Sequence, residues 1–214
     1  MKTAIKRLLL AVIFSGVSAY MVFLNIGDWL SISDPPQKAD IIICLSGTPD
    51  RITKSAQLYQ MGLAAKIMVM NRIDYQLMLK QNISPKNILE ASWLIESTYQ
   101  EGIAINRLLS GKDYTSALVV SDPYHLYRVK WTLQQTLKNN APRISFISSN
   151  APSLDGFWWK NDKSRIFVLS EIPKIVYYWI WHGMLGIEDD PAWATVMERK
   201  YVATLTAVFR FMEA

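Results

Sequence analysis

The sequence predicts an α/β fold: a Rossmann-like parallel sheet of about five strands flanked by helices, with an N-terminal transmembrane helix and a helical C-terminal extension. Three observations lead there. Short apolar runs at 40–45, 66–70, 88–89, 117–120 and 144–148 are rich in Ile, Leu, Val and Met, the pattern of strands buried on both faces. Segments of helical length separate most of them, and such alternation implies parallel strands joined by right-handed crossovers. Ahead of them all, residues 8–26 form an uncharged apolar run long enough to cross a hydrocarbon core.

Lys2, Lys6 and Arg7 precede that run. Positive charge stays on the cytoplasmic side, so the rest of the chain is expected outside a bacterial inner membrane, as a single-pass periplasmic domain. Val17-Ser18-Ala19 offers a small-residue cleavage site, the mark of a signal peptide. The apolar run continues past it through Leu24, which favours an uncleaved anchor over 1–27. Residues 28–38, with Pro35-Pro36, read as a stiff linker. The Rossmann-like domain is expected over 39–150 and an aromatic-rich helical extension over 151–214.

The first strand, 40–45, is broken by Ser46-Gly47-Thr48-Pro49, where Gly47 permits a tight turn or close approach of a ligand. Asp50 reads as the cap of a helix over 51–61 that Gly62 ends. Arg51 in its first turn is a cation where the helix dipole disfavours one. Either a bound anion resolves the conflict, or Arg51 pairs with Asp50 or Asp74. The second strand follows at 66–70, a short helix at 74–81, a turn at Ser84-Pro85 and the third strand at 88–89. A helix over 97–109 starts at Ser97 or Thr98, with Glu101 in its first turn and Gly102 weakening it.

The chain is organised around residues 117–128. An apolar strand turns polar at Ser121-Asp122, and Pro123 suits the first turn of a helix. Asp122 reads as the cap of a helix over 124–137. His125 and Arg128, three apart, share one flank, while Leu126, Val129, Leu133 and Leu137 form the stripe facing the sheet. Carboxylate, imidazole, guanidinium and helix amides thus gather at a strand's carboxyl end, where ligands bind in open α/β sheets. A fifth strand at 144–148 follows. Beyond Pro152 come Phe157-Trp158-Trp159 and a helix over 164–181, kinked at Pro173, with Gly183 and Gly186 at its end. Its cluster Tyr177, Tyr178, Trp179, Trp181 is either core or membrane interface. Asp190-Pro191 caps a last helix.

Several function classes are excluded. The net charge of +5 is scattered without a basic tract, so no nucleic-acid partner is expected; a mild positive charge suits an anionic ligand or membrane surface. There is no G-x-G-x-x-G, Walker loop or G-x-S-x-G elbow. With His125, His182 and one Cys, a zinc site is not expected either, and no cofactor is assigned. Cys44, inside an apolar run, reads as a buried structural thiol. Ser46, Ser121 or Thr98 beside His125 would make a nucleophile–base pair if contact geometry allowed.

Taken together, Ser46-Gly47, Arg51 with Leu58-Tyr59 and Gly62, Thr98-Tyr99, Val119-Val120-Ser121-Asp122 with Tyr124-His125 and Arg128, and Glu171 with Lys174 resemble the YdcF/SanA/ElyC-like family of bacterial envelope proteins. The resemblance covers roughly 39–178 and is most specific at Ser-Asp-x-Tyr-His-x-x-Arg. It implies a Rossmann-like sheet with polar residues gathered at the strand ends. It also implies a role in envelope biogenesis, peptidoglycan or polyprenyl-carrier metabolism among them. On matched positions it implies Gly47, Arg51, Thr98, Ser121, His125, Arg128 and Glu171 as pocket residues. The chain departs from the family pattern in its glycine-poor first loop, in Asn71-Arg72 after the second strand, and in Gln100 where the family has Glu.

The expected ligand is an anionic, phosphate-bearing envelope intermediate: a polyprenyl-linked glycan or peptidoglycan precursor. Arg51 and Arg128 would hold the anion, with Asp122, Thr98 and Ser121 beside it. His125 would be the acid/base of any reaction, and Glu171 would orient an Arg or a hydroxyl. The alternatives are a non-catalytic module with an envelope protein partner, or a pocket for S-adenosylmethionine or a nucleotide-type ligand.

Overall fold

A computed structural model describes residues 2–91, 95–111, 113–137, 142–149 and 157–213. The expected boundary at 150/151 and Pro152 lie outside the described residues. Five strands, β1 (Ile41–Cys44), β2 (Lys66–Val69), β3 (Ile88–Glu90), β4 (Ser116–Ser121) and β5 (Arg143–Ser148), form one parallel sheet in the order β3-β2-β1-β4-β5. The α/β fold class read from the sequence is the one observed. Connections lead from β1 outwards to β3, then cross back to β4 on the other side of β1. A crevice therefore opens beyond the carboxyl ends of β1 and β4.

Side-chain alternation sorts the sheet's residues onto two apolar layers. Ile41, Ile43 and Val119 pack with α4 (Thr98–Leu109) and α5 (Leu126–Thr136) through Ala104, Ile105, Leu126, Val129 and Leu133. Ile42, Cys44, Leu118 and Val120 pack with α2 (Pro49–Gln60) and α3 (Arg72–Leu79) through Ile52, Ala56, Leu58 and Met78. Burial pushes the Cys44 thiol up to about 12, so it stays protonated and inert. Gly102 lets α4 approach α5: a Cβ there would lie 2.7 Å from Thr132 Cγ2.

Two of the helix starts that differ from expectation bear on the site. α2 begins two residues earlier, with Thr48 at its N-cap and Pro49 at N1; Asp50 is a first-turn residue instead of the cap. Pro123–His125 form a single 3-10 turn before α5 begins at Leu126, and the Asp122 side chain makes no capping bond. Its carboxylate is engaged elsewhere, as described below.

The N-terminal helix α1 (Lys2–Leu30) is long and apolar enough over Ile5–Leu30 to cross a membrane. Its last turns belong to the domain. Leu30 is buried in a cluster with Tyr124, Trp158, Val168 and Ile175. The Trp158 indole N–H donates to the Phe23 carbonyl (2.9 Å), and the Phe23 ring lies 4.9 Å from Trp158 and 5.4 Å from Trp159. Residues 5–22, almost all with exposed side chains, remain below this contact. As a helix they span about 27 Å, close to a hydrocarbon thickness of about 30 Å. The segment 31–38, read as a linker, lies along the outer edge of β5. Asp34 exchanges hydrogen bonds with the Phe146 backbone, and the Ser148 amide donates to Ser33 Oγ. This covers an edge that would otherwise be open.

At the other end of the chain, α6 (Asp162–Tyr178) carries Pro173 internally and continues as a π-helical stretch, Trp179–Met184, closed by Gly186 at φ +66°. α7 (Ala192–Glu213) returns antiparallel along it: Trp193 packs on Tyr177, and Tyr201 Oη donates to the Leu169 carbonyl. The aromatic cluster is split. Tyr178 is buried against Arg128 and Trp131, while Trp179 is exposed.

Candidate functional site

A cavity of about 420 Å³ occupies the crevice at the β1/β4 strand ends. Its walls come from the β1–α2 loop (Ser46, Thr48, Arg51), the start of α4 (Ser97, Thr98, Glu101), the β4–α5 turn (Asp122, Tyr124, His125, Arg128) and α6 (Phe167, Glu171, Lys174, Tyr178). These segments lie up to 132 residues apart in sequence, Ser46 to Tyr178, and the sheet topology brings them together.

Two ion-pair systems divide the cavity. At the β1 side, Arg51 Nη2 lies 2.8 Å from Asp122 Oδ2, both side chains buried. Arg51 Nη1 also donates to the Ser46 carbonyl. Thr48 and Ser149 hydroxyls donate to Asp122 Oδ1, each at 2.8 Å. Burial acts to raise the Asp122 carboxyl, but Arg51 and the two hydroxyls outweigh it and hold it below the usual range. The conflict of a cation in the first turn of α2 is thus resolved by neither Asp50 nor Asp74. The carboxylate of Asp122, released from capping, supplies the partner. Gly47 has φ +150°, and a Cβ there would lie 2.6 Å from Arg51 Cζ, so the loop needs glycine to lie over the guanidinium.

At the α6 side, Arg128 forks onto Glu171, with Nε–Oε2 at 2.8 Å and Nη2–Oε1 at 3.1 Å. Its Nη1 donates to Thr98 Oγ1 (2.8 Å), and the guanidinium lies over the Tyr178 ring, 5.0 Å from its centroid. Lys174 Nζ reaches the same Glu171 Oε1 at 3.1 Å. Although burial acts to raise it, Glu171 is held well below the usual carboxylate range by Arg128, His125 and Lys174. One carboxylate therefore serves two cations.

His125 is buried between them. Arg128 Nη2 lies 3.0 Å from its Nδ1, and Thr98 Oγ1 lies 3.3 Å from its Nε2. Burial and the Arg128 charge pull its pKa down to about 4, so the imidazole is neutral at neutral pH. A guanidinium can only donate, so Nδ1 is the acceptor and the proton sits on Nε2, facing Thr98. The ring's one lone pair is thus covered by Arg128, and in this arrangement His125 has none with which to take the Thr98 proton.

Besides Lys174, Glu101 is a cavity residue that the sequence reading leaves off its set of site residues. Its Oε1 accepts from the Ser46 amide at 2.9 Å, and burial pushes its carboxyl up to about 7. Its proton is thus balanced near neutral pH, in the wall of the cavity. Gln100, which stands where the family pattern has Glu, instead accepts from the Glu96 amide at the exposed entry to α4. The acid in the cavity is therefore one position on, and its place in the first turn of α4 was the available signal. Asn71, where the family loop often has Gly, caps α3 through the Asp74 amide and donates to Ser46 Oγ, steadying the β1 loop.

Of the residues singled out from sequence, Arg51, Thr98, Asp122, His125, Arg128 and Glu171 line the cavity together. Gly47 lies against Arg51. Ser121 does not line it: its side chain is fully buried at the end of β4, and its hydroxyl has no hydrogen-bond partner among the described residues. Among the described residues no group of three or more His, Cys, Asp or Glu is placed to hold a metal ion. No protein-family model matches the chain, and no curated protein does.

Proposed function

We propose that this chain is a single-pass inner-membrane protein whose exported domain binds an anionic, phosphate-bearing intermediate of the bacterial envelope, a polyprenyl-linked glycan or peptidoglycan precursor. The observation that carries the reading is the pair Arg128 and Lys174 sharing Glu171 in the wall of a cavity at the strand ends. Arg128 and Lys174 bring two cations to one wall of the cavity, and a guanidinium matches phosphate oxygens well. Arg51, already matched one-to-one with Asp122, holds the loops together instead. Glu96 on the rim and Glu101 in the wall oppose an anion, so binding is centred on the α6 side.

Two further features support a membrane-borne ligand. Tyr124, in the cavity wall, shares an apolar cluster with Leu30 at the end of α1, so about one side chain separates site from anchor. Phe167, Ile166 and Val202 give the cavity an apolar flank. The basic N-terminus fits the orientation with this domain outside. Binding needs no base, in keeping with the covered lone pair of His125.

Native mass spectrometry of the detergent-purified chain with a polyprenyl phosphate tests this. An adduct in the wild type that weakens at least tenfold in Lys174→Gln is expected. Equal adducts in both, or none in either, would overturn it. A second reading, docking of an envelope protein partner, is favoured by the exposed Trp179, Ile180, Met184 and Leu185. A partner complex that survives Lys174→Gln but is lost on Ile180→Glu would support that one.

A further inference from the structure

Arg7 and Asp28 bound the uncharged part of α1. As a helix, residues 8–27 span about 30 Å, the thickness of a hydrocarbon core. The domain does not wait for the end of that stretch, because its contact with α1 already includes Phe23. Below Phe23 the uncharged residues 8–22 span about 22 Å, which is about 8 Å short of the hydrocarbon thickness. Residues 23–27 supply the missing length, so Phe23 falls about 6 Å on the membrane side of the outer hydrocarbon boundary. Any tilt of α1 shortens its reach along the bilayer normal and takes the contact deeper.

What touches Phe23 suits that depth. The Trp158 indole N–H, a donor that hydrocarbon could not satisfy, is taken up by the Phe23 carbonyl. The Phe23 ring lies against Trp158 and Trp159, and the Phe157 ring lies 4.8 Å from Trp159. Phe157 is 49 % exposed and Phe23 is exposed beside it, so this knot of rings is open on its outer side. Lys160 Nζ lies 4.6 Å from the centroid of the Phe157 ring, and Lys160 and Lys163 are exposed. Rings that enter the acyl boundary by about 5–10 Å, with lysines beside them at the level of the lipid phosphates, are the chemistry of an interfacial segment. The exposed Trp29, just past Gly27, stands where an interface tryptophan is favoured.

We propose that residues 157–160 are a wedge inserted in the membrane surface, a second contact with lipid beside α1 that sinks the Phe157 ring into the acyl boundary. This rests on the reading of α1 as a membrane span. One helix alone would leave the domain free to tilt on the bilayer; a helix and a wedge fix its height and its orientation. Trp158 shares an apolar cluster with Tyr124, which lies in the cavity wall, so the wedge holds the cavity at the membrane surface. A ligand carried on a lipid then reaches the cavity without leaving that surface.

The test uses the full chain in vesicles of phosphatidylcholine and phosphatidylglycerol. Cys44, the one cysteine of the sequence, is fully buried, so a nitroxide label can be directed to a new thiol. Three single variants carry it: Phe157→Cys in the wedge, Ile13→Cys in the middle of α1, and Ile73→Cys, exposed on α3 across the sheet from α1. Electron paramagnetic resonance then reads the access of oxygen, which concentrates in hydrocarbon, and of a nickel chelate, which stays in the water on both sides of the bilayer. The labels at Phe157→Cys and Ile13→Cys are expected to favour oxygen over the chelate at least fivefold more than the label at Ile73→Cys. A Phe157→Cys label as open to the chelate as that of Ile73→Cys, or closed to both reagents as in a protein interior, would overturn the wedge, and a protected Ile13→Cys label would leave the span standing. An Ile13→Cys label open to the chelate would overturn both.

Discussion

Arg51 and Arg128 are alike in burial, in facing a buried carboxylate and in lying at a strand's carboxyl end, yet they do different things. Arg51 is one cation on one carboxylate, and Asp122 is further satisfied by Thr48 and Ser149. The arrangement is closed: it ties the β1 loop to the β4 turn across the switch point of the sheet. Arg128 shares Glu171 with Lys174 and rests on Tyr178 and His125. That arrangement gathers two cations at one carboxylate in the cavity wall on the α6 side. A self-contained pair holds a site together; two cations gathered in a cavity wall give it something to bind with.

The widest separation of the two is expected in stability. Arg51→Ala leaves Asp122 buried without a cation, a loss of about 3–5 kcal/mol read as a fall in Tm. Arg128→Ala is expected to cost less, because Lys174 stays on Glu171 and His125 can take a proton in Arg128's place. In that variant the His125 pKa should rise from about 4 to above its ordinary 6.5, followed by NMR titration of the ring. A loss equal to that of Arg51→Ala, with His125 unmoved, would erase the distinction.

Acid and base dependence sharpens it next. Folded Glu101 keeps its proton to about 7 while an unfolded Glu releases it near 4.5, so its contribution to stability falls as pH rises from 4.5 to 7. His125 acts in the opposite sense: unfolded it gains a proton near 6.5, folded near 4, so stability falls as pH drops from 6.5 to 4. Each slope amounts to at most about 3 kcal/mol, and in the wild type they largely cancel. Glu101→Gln should uncover a Tm that climbs from pH 4 to 6.5; a Tm flat across that range would contradict the neutral, buried His125. Smaller again is Gly47→Ala, whose Cβ meets the Arg51 guanidinium at a positive φ; about 1–2 kcal/mol is expected from denaturant unfolding. Smallest is Lys174→Gln, partly exposed, expected to change stability by under about 1 kcal/mol while weakening the ligand.

The contrast also marks what a sequence can disclose. Strands buried on both faces announce themselves as runs such as Ile41-Ile42-Ile43, and the topology follows from their alternation with helices. The polar residues at the strand ends were legible for the same reason, since Ser46 and Asp122 interrupt apolar runs. What was hidden is pairing at a distance. Asp122, 71 residues from Arg51, took the place that nearby Asp50 and Asp74 were expected to fill, and gave up helix capping to do so. Glu101 was visible as a first-turn acid, but its burial depends on Ser46 being folded over it. The last turns of α1 read as membrane or linker because the partners of Leu30, Tyr124 and Trp158, lie 94 and 128 residues downstream.

One measurement bears most directly on the division between the two arginines: titration of farnesyl phosphate into the detergent-solubilised full chain, as wild type, Arg51→Lys and Lys174→Gln. Arg51→Lys keeps a cation on Asp122 and is expected to bind like the wild type, while Lys174→Gln binds at least tenfold more weakly. Unchanged binding in Lys174→Gln together with lost binding in Arg51→Lys would move the anion to the β1 side and contradict the reading given to both residues.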